Sequence, residues 1–483
     1  SNGGLFVPKG DLPCFTLGQW QRLVSLSYEQ RAARILEAWI DSSELHPSRV
    51  QHMVTKAYSS FQHADIAPVR KLDKGIYIQE LFHGPTASFK DLALQLMPKM
   101  FDEAAAKTQH GLSKESKYLV LVATSGDTGS AVLQGFQDCQ NVAVMVLYPE
   151  QGISPIQRQQ MTSMNGKNIK VLGVPADFDF CQTAVKEIFI DRTFALNIWD
   201  KYGYKFSAAN SINWGRLLPQ VVYHASGYLE LVKQGEIDLG EPIDICVPTG
   251  NFGNILAAFY AKEMGIPIQT LVCASNTNNV LSDFFTSGKY DLRGRHLERS
   301  ISPSIDILKS SNLERFLYHM TKDGVLIGKF FQQLTKEKYF EISEELRQKM
   351  ANCIECGWAS EAECKATIKT CYEQNQYLLD PHTAVGLNVA LKRPASARKL
   401  LLSCTAHYSK FATDVLLALG KKPNSDSPRE LFEQLEELNN TPIMHESLKN
   451  AMGRQEINHN VYSNDMNAVK EEIENFLTNL TAS

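Results

Sequence analysis

Three short stretches carry residue types whose spacing can do chemistry. In the first, Glu80–Asp91 (ELFHGPTASFKD), Gly84 and Pro85 form a turn and Ser88 is placed to cap a helix over 89–100. Lys90 then falls in the first helical turn, where a cation is disfavoured, beside Phe89 and Leu92. Such a lysine has a lowered pKa, as a Schiff-base lysine requires; the plain alternative is a solvated lysine on a helix. In the second, Thr124–Ser130 (TSGDTGS), hydroxyls and free N–H groups at a helix start suit a small anion such as a carboxylate, or simply cap the helix. In the third, Pro248–Asn254 (PTGNFGN), two glycines let the backbone converge several N–H groups ahead of a helix, which suits a phosphate. It lacks the Lys of a Walker loop and the third Gly of GxGxxG, and a Gly-capped strand-to-helix turn is the alternative.

The surrounding elements explain how such loops come together. Short Val-, Ile- and Leu-rich runs recur at 118–122, 142–147, 169–174, 243–247, 269–273 and 400–402. Helical periods lie between them, at 181–198, 213–231 and 254–264, with further helices over 11–66 and 421–483. Strands of this kind alternating with helices predict parallel sheets covered on both faces. Loops two and three then fall at the carboxyl ends of strands, where open α/β sheets bind ligands.

With 49 Lys plus Arg against 53 Asp plus Glu, the net charge of -4 argues against a bulk electrostatic nucleic-acid binder. No apolar run reaches the roughly 18 residues of a membrane span, and no secretory leader opens the chain. The ten cysteines read as reduced thiols of an intracellular protein, cytosolic or mitochondrial. Cys353, Cys356, Cys364 and Cys371 resemble half a zinc site but lack a second CxxC. Two helices joined at Gly357 is the simpler reading, and no metal is expected. His83, His382 and His407 suit packing or capping as well as proton transfer. The acidic C-terminal helix reads as a solvated face. The chain opens at Ser1 without Met, which suggests a piece of a longer or processed protein.

HGPTASFKDLALQ, ATSGDTGSA, SINWGR, VPTGNFGN, SPSIDI and DPHTAVG occur in the order found in threonine synthases, and the match spans residues 3–411. By these motifs the chain resembles the threonine synthase family, which implies an α/β architecture. This is the fold type II (tryptophan synthase β-like) fold of enzymes that use pyridoxal 5′-phosphate. It comprises two parallel-sheet domains with helical N- and C-terminal additions. The expected layout is a mostly helical region 1–80, a smaller α/β domain 81–205 bearing the lysine, a larger α/β domain 206–420 with the phosphate loop, and a helical region 421–483. The resemblance assigns Lys90 to the cofactor linkage and Gly250, Asn251, Phe252, Gly253 and Asn254 to the cofactor phosphate. Thr405 would face the pyridine nitrogen. A hydroxyl there leaves that nitrogen unprotonated and moderates the electron sink, favouring elimination and replacement over transamination. Ser125, Asp127 and Thr128 would line the place of the substrate's amino-acid end.

Asn213 and Arg216, near a helix start, offer an amide and a guanidinium for a departing phosphate; Arg216 packing or capping its helix is the alternative. The expected substrate is O-phosphohomoserine or a related phosphorylated amino acid, converted to threonine and phosphate. A catabolic outcome (2-oxobutyrate, phosphate and ammonia) and cofactor binding without turnover are the alternatives. A monomer or homodimer is expected. The chain departs from the family at Ala87-Ser88, Gly215, Cys404, Tyr408-Ser409 and 356–361, close enough to the motifs to alter the fate of a reaction intermediate. Some animal threonine synthase-like proteins carry an N-terminal kinase-like domain, which would explain the start at Ser1.

Overall fold

A computed structural model describes residues 4–108, 117–150, 152–438, 441–458 and 464–482. Among the described residues, twelve strands fall in three sheets: β1 Val69–Asp73, β2 Ile76–Glu80, β3 Lys117–Ala123, β4 Val142–Pro149, β5 Ile169–Val174, β6 Tyr204–Ser207, β7 Ile243–Pro248, β8 Ile268–Ser275, β9 Lys289–Asp291, β10 Tyr339–Glu341, β11 Ile354–Trp358 and β12 Leu400–Cys404. The larger sheet runs β1-β2-β12-β7-β8-β11 and the smaller β5-β4-β3-β6, while β9 and β10 form a separate pair. The smaller sheet is parallel throughout. In the larger one only β1 and β2 are antiparallel.

Every residue of β4 and β7 is buried; β4 reads as a continuous apolar run, and β7 does so except at Asp244, which is paired with Arg393 and Arg398 at 2.9 Å each. Capping boxes at Thr16–Gln19 and Ser27–Gln30 start two helices of the amino-terminal region. The second, Tyr28–Glu37, packs on the long buried helix Trp214–Lys233 and closes a buried ion pair, Arg31 to Glu230 at 2.7 Å. That long helix spans the back of the larger sheet's site-bearing loops and also contacts helices Asp91–Leu94 and Gly253–Glu263.

Several expectations give way. The helix expected over 89–100 is two pieces, Asp91–Leu94 and Met97–Thr108, and Lys90 stands at the N-cap of the first. Ser88 caps nothing: its backbone bridges Ala406 and its hydroxyl is buried without a partner. Residues 69–80, in the region expected to be mostly helical, form the hairpin β1–β2 at the edge of the larger sheet. Gly357 lies inside β11 rather than between two helices, since Ile354–Trp358 pairs in parallel with Leu271–Ser275. The C-terminal helix Met466–Ala482 is not solvated all round. Val469, Ile473, Phe476 and Leu477 form an apolar stripe packed against the smaller sheet's core. Among the described residues no group of His, Cys, Asp and Glu is placed to hold a metal ion, and no helix is long and apolar enough to cross a membrane.

Candidate active site

A cleft of about 990 Å³ opens where the two sheets meet, at the carboxyl ends of β3, β7 and β12. Lys90, Ser125, Asp127, Thr128, Arg216, Thr405 and all of 250–254 line it. Of the residues expected to bind cofactor or substrate, Asn213 lies elsewhere.

The turn bearing Lys90 is laced to the segment after β12. Phe89 N–H donates to the Thr405 carbonyl (2.8 Å), His407 N–H to the Ala87 carbonyl (3.1 Å), and Ala87 takes a positive φ of 60° to allow it. This sets Lys90 deep in the cleft wall, 6% exposed, with Nζ 3.0 Å from Asp127 Oδ2 and 3.3 Å from Ser304 Oγ. Burial pushes the lysine down from its usual range, Asp127 opposes this, and Arg216 and Lys410 add to it. The lowering foreseen from the helix start is present, but its main cause is desolvation; a helix of four residues contributes little dipole.

Asp127 opens helix Asp127–Phe136 but does not cap it. Thr124 Oγ1 accepts from the N–H groups of Gly126 (3.0 Å) and Gly129 (2.8 Å), leaving the carboxylate free to face cations. Its Oδ1 takes Lys410 Nζ (2.9 Å) and Gln157 Nε2 (2.9 Å). Burial would raise this carboxyl, but Lys410, Lys90 and His382 hold it well below the usual range. Gly126 is required here: its φ is 127°, and a Cβ would lie 2.5 Å from the Gln157 amide.

In the third loop the strained residue is Phe252, at φ 62°, and neither glycine has a positive φ. The cost is carried by the core, where the Phe252 ring stacks on Phe285 and contacts Phe316. Carbonyl oxygens of the loop are tied back, Gly250 by Ser310 Oγ (2.7 Å) and Asn251 by Asn312 N (3.1 Å). The N–H groups of the helix's first turn have no acceptor within the helix and are left for a ligand. Gly250 permits a close approach, since a Cβ there would lie 2.8 Å from the Ser304 carbonyl; at Gly253 the nearest atom would be 3.5 Å away. His224 Nε2 donates to Asn254 Oδ1 (2.8 Å), and Asn254 Nδ2 is buried without a partner at the cleft wall.

Asn213 is not among the residues lining this cleft. It is the N-cap of helix Trp214–Lys233: its Oδ1 accepts from Gly215 N–H (2.9 Å) and its Nδ2 donates to the Ala208 carbonyl (3.0 Å). It lines a second hollow, beside residues 4–9 and Trp39. Arg216 does face the cleft, 6% exposed, donating to the Ala209 carbonyl (3.0 Å) and lying 3.5 Å from Thr128 Oγ1. Burial lowers it to about 10. Three further residues were not assigned from the sequence. His382 accepts from Ser304 N–H (3.0 Å) and donates to Asp380 (2.8 Å). Ser304 itself touches Lys90. Lys410 is fully buried behind Asp127. The signal in the sequence was the place of Ser304 and His382 inside the motifs SPSIDI and DPHTAVG, and of Lys410 beside Tyr408-Ser409.

The pyridoxal-phosphate dependent enzyme family matches residues 63–330, and the threonine synthase N-terminus family matches residues 1–58. Threonine synthase from Eremothecium gossypii is 35% identical over 86% of this chain and 84% of its own length. The chain belongs to the threonine synthase family. A crystal structure of pyridoxal phosphate-bound threonine synthase from Brucella melitensis, 32% identical, superposes with a TM-score of 0.86 over 98% of this chain and 94% of that one. Human threonine synthase-like 1 is 47% identical over 99% of this chain and 65% of its own length. The chain thus spans about 65% of the length of the threonine synthase-like relatives it matches. Its fold is the fold type II of pyridoxal phosphate enzymes, and pyridoxal 5′-phosphate is its cofactor.

The threonine synthase-family residues present fit that group. The orphaned Asn254 amide and the tied-back loop suit its phosphate. Lys90 offers an amine with a lowered pKa, and Thr405 brings a hydroxyl-bearing, not a carboxylate, side chain to the cleft lining.

Proposed function

We propose that the chain releases phosphate from O-phosphohomoserine and, by adding water at Cβ, forms threonine. The observation that carries this is Arg216, a buried guanidinium facing the cleft whose lowering has no carboxylate among its causes. An unpaired buried cation is costly, and an anionic ligand offsets that cost. A dianion beyond the cofactor phosphate fits this position, as a phosphorylated amino acid supplies.

Within this reading the 250–254 loop and Asn254 hold the cofactor phosphate, and Lys90 carries the cofactor. When bound, pyridoxal 5′-phosphate draws electron density from the substrate's Cα. Lys90, once its amine is free, takes and returns protons at Cα and Cβ. Asp127 keeps that amine within reach of its proton partners. Ser125 and Thr128, half-buried on the cleft wall, are placed for the substrate's amino-acid end. Arg216 binds the departing phosphate. The neutral Thr405 hydroxyl favours loss of the Cγ phosphate over transamination.

The test is an incubation of the cofactor-loaded chain with O-phosphohomoserine, with phosphate, threonine and 2-oxobutyrate measured together. Equal phosphate and threonine are expected. Phosphate with 2-oxobutyrate and ammonia means water is not directed to Cβ, which gives the catabolic activity. No phosphate release means cofactor binding without turnover.

A further inference from the structure

Lys410 is a buried charge that the mechanism above does not use. It sits in the short turn Tyr408–Phe411, is 0% exposed, and is not part of the cleft lining. Its Nζ donates to the Thr86 carbonyl (2.7 Å) and to Asp127 Oδ1 (2.9 Å). An apolar side chain would fill this space without needing a counter-ion, so the fold alone does not call for a lysine. The turn is firmly held. His407 contacts the Ile443 carbonyl (3.0 Å) and Ser409 Oγ (2.7 Å), and Tyr408 donates to the Pro442 carbonyl (3.0 Å). Asp127 is therefore gripped from behind by Lys410 and Gln157 while its other oxygen faces Lys90.

The consequence follows from charge. If Lys90 were the only cation on Asp127, loss of its proton would strand a buried carboxylate, and the pair would hold the proton tightly. With Lys410 present, Asp127 keeps a partner after Lys90 becomes neutral. Arg216, on helix Trp214–Lys233, presses in the same direction. The other charged groups around this cluster are accounted for. His382, from helix Pro381–Lys392, reaches Asp127 electrostatically. Asp91, on Lys90's own helix, is tied to Thr86 and pushed up to about 6 by burial. His407 and His445 lie on the far side of Lys410 and are lowered by burial, which disfavours their charged forms.

We propose that Lys410 is a positioning residue: from behind Asp127 it holds that carboxylate ionised and in place, so that Lys90 can pass its proton to solvent and stand as a neutral amine in the cleft. This rests on Lys90 being the reactive lysine but not on any substrate or product.

The experiment measures the protonation of Lys90 directly in the full chain freed of cofactor. Competitive reductive methylation over a pH series, read by peptide mass spectrometry, gives the midpoint at which Lys90 becomes reactive. Lys410→Met is expected to raise that midpoint by about one to three pH units, and Lys410→Arg to restore it. Asp127→Asn, which removes the attraction and leaves Lys410, is expected to lower it below the unmodified protein. The second direction matters, because loosening of the site would hydrate Lys90 and could only raise its midpoint. An unchanged midpoint in a folded Lys410→Met protein overturns the proposal. So does a midpoint in Asp127→Asn at or above that of the unmodified chain, which decides the matter even if Lys410→Met does not fold. A failed assay for threonine would leave these midpoints untouched, so the two readings fail separately.

Discussion

The 250–254 cradle and the Lys90–Asp127–Lys410 cluster face the same cleft but are held by different means. The cradle is backbone, shaped by the buried Phe252 ring and by hydrogen bonds to its carbonyl oxygens from Ser310 and Asn312. The groups proposed to bind there are peptide N–H groups, which most side-chain changes leave in place. The cluster is side-chain charge, brought from a turn before helix Asp91–Leu94, from helix Asp127–Phe136 and from turn Tyr408–Phe411. Each member depends on the others, because a buried charge without its partner is costly. A neutral cradle should thus fail by shape, and a charged cluster by loss of single atoms.

The sharpest break is Lys90→Ala. It should abolish the visible absorbance band of the cofactor-loaded protein entirely, whereas a band that persists would move the linkage to another lysine. Next is Arg216→Ala. Removing a phosphate clamp should lower kcat/KM for a phosphorylated substrate by about 30- to 1,000-fold, about 2–4 kcal/mol, with cofactor affinity unchanged. Loss of cofactor together with activity would make Arg216 a packing residue.

The cradle offers a smaller, steric contrast. Gly250→Val places atoms against the Ser304 backbone and should weaken cofactor binding about 10- to 100-fold. Gly253→Ala, with 3.5 Å of room, should stay close to the parent protein. Equal losses at both glycines would show that the loop needs their flexibility rather than the space at 250.

The least effect concerns pH. Burial lowers His224 to about 4, so its neutral form stabilises the fold above the usual histidine range. That contribution is lost as pH falls from about 6.5 towards 4, where the unfolded chain binds the proton first. Asp91, raised to about 6, acts in the opposite sense over the same window: its protonation favours the fold as pH falls. The difference between the parent chain and His224→Gln isolates the histidine. Thermal melts should show the parent losing a few degrees more than His224→Gln between pH 6.5 and 4.5, with a constant offset between the two above pH 7. Parallel curves would mean that His224 titrates near its ordinary value.

Much of this was legible from residue order. β3, β4, β5, β7, β8 and β12 announce themselves because strands largely buried between covering helices are rich in Val, Ile and Leu, with only isolated polar residues such as Asp244. β11 does not, because Ile354-Glu355-Cys356-Gly357-Trp358 is an edge strand held by β8 alone and carries polar residues and a glycine. The break after Leu94 was hidden as well, since the helical period runs through it and only the lacing of 87–89 to 405–407 sets where the helix begins. The amphipathic stripe of Met466–Ala482 was present in the letters but masked by its acidic face.

The sequence by itself pointed to loops suited to anions and to a lysine suited to a Schiff base, because glycines, hydroxyls and a helix start act locally on their own backbone. It could not determine the partners. Asn213 and Arg216 stand three residues apart, yet one caps its helix and the other faces the cleft. Lys410 lies far along the chain from Asp127, and nothing in its neighbours indicates that it ends 2.9 Å from that carboxylate. Charges act through space and burial rather than along the chain, so only the packing of the two sheets decided which of them meet, and how firmly Lys90 holds its proton.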